Sequence, residues 1–135
     1  MTTPPTSIRH IDGRAPRIMV VDGSKLVRKL IGDVLTRALQ DAVVVPCAGI
    51  PEARAALAGG PVDLVTTSLV LPDGEGIALA RPVREAAGQA YVPVIVVSGD
   101  AQSHLEDRRF TEDVTDYFDK VLGHTALAEF IRGYV

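Results

Sequence analysis

The spacing of apolar positions changes along this chain, and the changes sort its elements. Residues 17–22 read Arg17-Ile18-Met19-Val20-Val21-Asp22, a continuous apolar run stopped by a carboxylate and then a glycine. Such runs mark strands buried on both faces. From 24 to 39 the period becomes three and four. Leu26, Val27, Leu30, Ile31, Val34, Leu35 and Ala38 form one stripe of an amphipathic helix, with Ser24 as its N-cap. Gly32 in its interior costs about 1 kcal/mol relative to alanine, which the stripe outweighs.

The alternation then repeats. Val43-Val44-Val45 predicts a second strand, and Pro51 stands at the first position of a helix ending near Ala58, before Gly59-Gly60. Leu64-Val65-Thr66-Thr67-Ser68 reads as a third strand and Pro72-Asp73-Gly74 as a turn. A helix over 76–87 follows, with Pro82 inside it, where a proline should kink or break the helix. Residues 93–98 form a fourth strand, 102–111 a polar helix and Asp116-Tyr117-Phe118-Asp119 a short fifth strand. A last helix over 125–134 carries Leu127, Phe130, Ile131 and Tyr134 on one side. Residues 1–16 have no apolar period and read as a flexible tail, leaving 17–135 as the domain. Five strand-then-helix units with short connections predict an α/β domain: a doubly wound, five-stranded parallel sheet in three α/β/α layers.

Composition removes other classes. A chain of 135 residues that is 47% hydrophobic holds one ordinary domain and is not disordered. Net charge −3, 4% aromatic residues and no tryptophan argue against a nucleic-acid surface. The single Cys47 cannot close an intramolecular disulfide, so a reducing cytoplasm is the expected compartment. Cys47 itself reads as a small buried hydrophobe. No targeting segment is visible, and the longest apolar stretch, 92–97, is too short to cross a bilayer. His10, His104 and His124 lack metal-ligand spacing, and Lys25, Arg28 and Lys29 read as a solvated face able to add to a docking surface.

In doubly wound sheets the working crevice lies beyond the carboxyl ends of the strands. Those ends supply Asp22 and Gly23, Ser68, Ser98 with Gly99, and Lys120: an acid, two hydroxyls and a lysine on one edge. Val20-Val21-Asp22-Gly23-Ser24 followed by Arg28 resembles the first-strand signature of response-regulator receiver domains. The stretch from Asp63 through Ser68 and Pro72 to Gly76 is similar to that family's third-strand segment. Ser98-Gly99 and Tyr117-Phe118-Asp119-Lys120 resemble its hydroxyl-alanine pair and its aromatic-x-x-Lys motif. The resemblance covers 17–135 and implies the CheY-like, flavodoxin-like (βα)5 fold.

It also implies phosphoryl transfer from a partner histidine to an aspartate ending the third strand, with Mg²⁺ held there and by acids ending the first. At the phosphoacceptor position this chain has Ser68, and of the acidic pair, Asp22 and Gly23, only Asp22 is an acid. Mg²⁺ requires charged oxygen ligands. Asp22 and Lys120 sum to zero, so no metal and no cofactor is expected, and the two side chains should pair directly or through water. A serine hydroxyl, unlike a carboxylate, needs a general base before it attacks phosphorus. Ser98 and Tyr117 match the pair that, in the family, couples phosphorylation to the face made by the fourth helix, fifth strand and fifth helix.

The expectation is therefore an atypical receiver: a phosphorylation-independent interaction or regulatory module of a two-component pathway. Its partner would be a protein: a histidine kinase, an output domain or another receiver, with a homodimer left open. Neither nucleic acid nor membrane is an expected partner. Alternatives are a small ligand sensed in the strand-end crevice, or a domain still active in a phosphorelay. An enzyme is not expected, since the chain has no Gly-x-x-x-x-Gly-Lys loop and no Gly-x-Ser-x-Gly elbow.

Overall fold

A computed structural model describes residues 15–39, 41–86, 92–98, 114–119 and 123–133. The expected helix over 102–111, Gly99, Lys120 and most of the N-terminal tail lie outside the described residues. In chain order the elements are β1 (Arg17–Val21), α1 (Lys25–Ala38), β2 (Val43–Cys47), α2 (Ile50–Ala58) and β3 (Leu64–Thr67). A small hairpin, β4 (Val70–Leu71) and β5 (Gly74–Glu75), precedes a 3₁₀ turn (Gly76–Leu79) and α3 (Ala80–Glu85). The chain continues through β6 (Val94–Ser98), β7 (Asp116–Asp119) and α4 (Gly123–Arg132).

The main sheet runs in the order β2-β1-β3-β6-β7, with every neighbouring pair parallel. Its apolar runs are continuous because alternate residues serve different cores. Ile18 and Val20 of β1, Leu64 of β3, and Ile95 and Val97 of β6 pack with α1 and α4 side chains such as Leu35 and Ile131. Met19, Val21, Val65 and Val94 point the other way, onto Ala53 of α2 and Leu79 and Val83 around α3. Each fully buried aliphatic side chain contributes about 1.5–3 kcal/mol, so the strands are the main apolar contributors to stability. The α/β class expected from the pattern is the class observed.

Local chemistry decides several boundaries. Ser24 caps α1, its Oγ accepting from the Val27 N–H at 3.2 Å. β2 extends past Val45 to include Pro46, opposite Val20. Proline is tolerated there because β2 is an edge strand and needs no outward donor at that residue. The segment expected as one helix over 76–87 is two pieces, a 3₁₀ turn and then α3. Pro82 falls in the first turn of α3, where its missing N–H has no intrahelical partner to lose. The last helix begins at Gly123, two residues before its expected start. The expected turn at Pro72-Asp73-Gly74 is a β-hairpin, with Gly74 at φ 151°, a conformation that favours glycine.

Candidate functional site at the strand ends

The strand order reverses between β1 and β3, so the crevice lies above those two strands. Two backbone hydrogen bonds fix its geometry. The Asp22 N–H donates to the Cys47 carbonyl at 3.0 Å, and the Ser68 N–H to the Val21 carbonyl at 2.8 Å. Because Val21 registers with Thr67, Asp22 and Ser68 leave the sheet side by side. Ser98 ends β6, in register with Asp119, and Tyr117 registers with Val96 one strand farther out. The structure thus brings Asp22, Gly23, Ser68 and Ser98 to one edge. Of Tyr117 only the backbone is described, and the expected Asp22–Lys120 pairing lies outside the described residues.

Asp22 is buried, 5% exposed, and its Oδ1 accepts the Ser24 N–H at 2.8 Å. That bond turns the chain from β1 into α1 and orients the carboxylate. Arg28, at the end of the first turn of α1, reaches back so that Nη1 donates to the Asp22 carbonyl oxygen at 2.6 Å. A guanidinium is thereby fixed beside the strand-end acid. The sequence offered Arg28 only as part of a motif and of a charged face.

The β4–β5 hairpin arches from β3 over the β1 end to α2. Its Asp73 Oδ1 accepts the Ile50 N–H at 3.1 Å, capping a helix whose own N-cap, Gly49, has no side chain. On the way the Pro72 ring passes above Gly23. A Cβ at position 23 would lie 3.0 Å from Pro72 Cδ and 3.1 Å from Cγ. The loop closes at Gly76, whose N–H donates to the Leu69 carbonyl at 2.7 Å. A Cβ there would fall 1.8 Å from the Ser68 carbonyl oxygen, so only glycine fits. The only advance signal for this cap was a Pro-Asp-Gly turn.

Cys47 is buried beneath the same edge. Burial, together with the nearby Glu52 carboxylate and against the opposing pull of Arg28, pushes its thiol from 9.0 up to about 11. It is therefore an inert packed thiol at neutral pH. Among the described residues no group of three His, Cys, Asp or Glu side chains is placed to hold a metal ion. No helix among them is long and apolar enough to cross a membrane.

The family model of the response regulator receiver domain matches residues 18–132. The chain belongs to that family. The receiver domain resembles the chemotaxis response regulator CheY4 of Vibrio cholerae with a TM-score of 0.77 at 17% identity, covering 89% of this chain and 98% of that one. It resembles response regulator TrrA of Thermotoga maritima, solved in complex with Mg²⁺-BeF, with a TM-score of 0.74 at 22% identity, covering 89% and 99%. Likenesses at these identities establish the fold. The sensor histidine kinase TmoS of Ectopseudomonas mendocina is 30% identical over 105 residues, 78% of this chain but 10% of the kinase. The receiver domain spans about a tenth of that relative's length. It is a receiver of two-component signalling, a class whose members work with protein partners such as kinases and output domains.

Proposed function

We propose that this receiver domain signals without being phosphorylated, as a protein-interaction module of a two-component pathway and not as an enzyme. The single observation that carries this reading is the filled space at Gly23. Any side chain there would press on the Pro72 ring, which would have to give by a few tenths of an ångström against the Asp73 cap on α2. Asp22 then stands as the β1-end acid beside a neutral hydroxyl at Ser68, in the place where the family carries its phosphoacceptor aspartate. Mg²⁺ is a hard cation that needs several charged oxygens in a near-octahedral shell. One carboxylate and a hydroxyl do not fit that need. Nor is Ser68 a ready nucleophile: Asp22, the acid on the neighbouring strand end, already accepts the Ser24 N–H and lies beside the Arg28 guanidinium.

Without a phosphoryl group to attract the Ser98 hydroxyl, the family's trigger for Tyr117 is missing, and the fold acts through its surface. The partner we favour is a histidine kinase, an output domain or another receiver. It would bind the face made by the fourth helix, fifth strand and fifth helix of the receiver plan. The 30% likeness to a segment of a sensor histidine kinase supports a place beside a kinase.

The test is to incubate the full chain with Mg²⁺ and acetyl phosphate and weigh the intact protein. No mass change is expected. A gain of one phosphoryl group, on Ser68 or on any aspartate, overturns the reading. Mg²⁺ with beryllofluoride, the pair bound by the Thermotoga protein, should likewise leave the melting temperature unmoved.

A further inference from the structure

Gly32 sits mid-way along α1 and is explained by neither conformation nor packing. Its backbone is helical, and a Cβ there would lie 3.5 Å from Val44 Cγ1, an ordinary contact. Alanine would therefore fit and would favour the helix over glycine. What glycine provides is space. Together with Val44 and Pro46 it lines a groove of about 400 Å³ between α1 and the edge strand β2. Lys25, Arg28 and Lys29 also line it, while Asp33 pairs with Lys29 at 3.9 Å. Three cations less that one acid leave a local charge of +2. Arg28 is already held by its bond to the Asp22 carbonyl, which uses one of five guanidinium N–H donors. The binding groups are thus partly preorganised above an apolar floor.

We propose that the α1–β2 groove binds a small organic dianion with an apolar or aromatic body, such as a phosphomonoester. Its volume falls in the range of small-molecule sites, roughly 300–1,000 Å³. A peptide adding to the β2 edge is disfavoured, because Pro46 has no N–H to offer it. The groove is separate from the strand-end crevice, yet Arg28 links the two. An anion drawing on the remaining guanidinium donors is coupled to the β1 end through the bond that Arg28 makes to the Asp22 carbonyl.

The experiment titrates the full chain with phenyl phosphate, following the amide resonances of Gly32 and Val44. Inorganic phosphate, benzyl alcohol and a tetraglutamate peptide are run as separate arms. Saturable shifts are expected with phenyl phosphate, at an affinity about tenfold above either fragment alone. Gly32→Ala should lower that affinity about tenfold while raising the melting temperature, and Lys29→Gln should weaken binding with little change in melting. The proposal is overturned by equal affinity for inorganic phosphate, which marks an adventitious ion only, or by absent saturation. Binding of tetraglutamate in place of phenyl phosphate, unchanged binding by Gly32→Ala, or a lower melting temperature for that variant overturns it equally.

Discussion

Two aspartates of this domain are buried to the same degree and serve different ends of the sheet. Asp63, at the amino end of β3, is 5% exposed; its Oδ2 accepts the Arg17 N–H at 2.8 Å, and its own N–H donates to the Arg17 carbonyl at 2.7 Å. Arg17 in turn donates from Nη1 to the Pro61 carbonyl. At β6 and β7 the same end is joined by Thr115 Oγ1, which accepts from Val94 N–H and from Arg84 Nη2. These bonds cross between strands far apart in sequence and lock the register. Asp22, at the carboxyl end of β1, is also 5% exposed, but its carboxylate accepts from a residue two positions on and faces the crevice. A buried acid is therefore no functional sign in itself. What separates the two is which end of the sheet each occupies, and that the Asp63 carboxylate ties β3 to β1 while the Asp22 carboxylate holds the turn into α1.

The sharpest way to break the comparison is at the loop that caps the carboxyl end. Gly76→Ala places a methyl against the Ser68 carbonyl and should cost about 3 kcal/mol in urea unfolding. A loss under half of that would show the cap to be loosely held. Next, Asp63→Ala strands the Arg17 N–H and should cost about 2 kcal/mol, against about 1 kcal/mol for Asp22→Ala, whose Ser24 donor lies near solvent. Equal losses for the two variants would erase the distinction drawn above.

Smaller effects sharpen it. Thr66 of β3 is 1% exposed, and among the described residues its Oγ1 has no hydrogen-bond partner. Thr66→Val should raise stability by about 1 kcal/mol by removing that unmet group, measured by thermal unfolding. The smallest effect at neutral pH belongs to Cys47. Its folded thiol is raised to about 11, above its ordinary 9.0, so its contribution is fully present below pH 9. As pH climbs from 9 towards 11 the unfolded chain ionises first and stability falls. Cys47→Ser should flatten that alkaline decline in a pH series of melting temperatures.

Much of this was legible beforehand, and the reasons are local. The run 18–21 announced a strand buried twice over, because only such a strand needs apolar side chains on both faces. Ser24 marked the start of α1, and the strand-end positions Asp22, Gly23, Ser68 and Ser98 followed from the alternation of elements alone. Pro82 signals a break in the 76–87 helix, and the break is there; that it falls before the proline, at the passage from 3₁₀ turn to α3, is set by the packing around it. Pro46 was missed as a strand residue, because its tolerance depends on β2 lying at the edge. The hairpin over Gly23 shows in sequence only as a Pro-Asp-Gly turn: nothing near Asp73 reveals that it caps α2, 23 residues away.

Periodicity and the few residues that interrupt it set the class of this protein, its strand ends and the chemistry at their tips, since those depend on neighbours within one or two helical turns. The third dimension alone determined that Pro72 covers Gly23 and that Gly32 opens a cationic groove against Val44 and Pro46. Each of these is a contact between segments separated along the chain. Such contacts exist only once burial of the two cores has fixed how α1, β2 and the β4–β5 hairpin lie against the sheet.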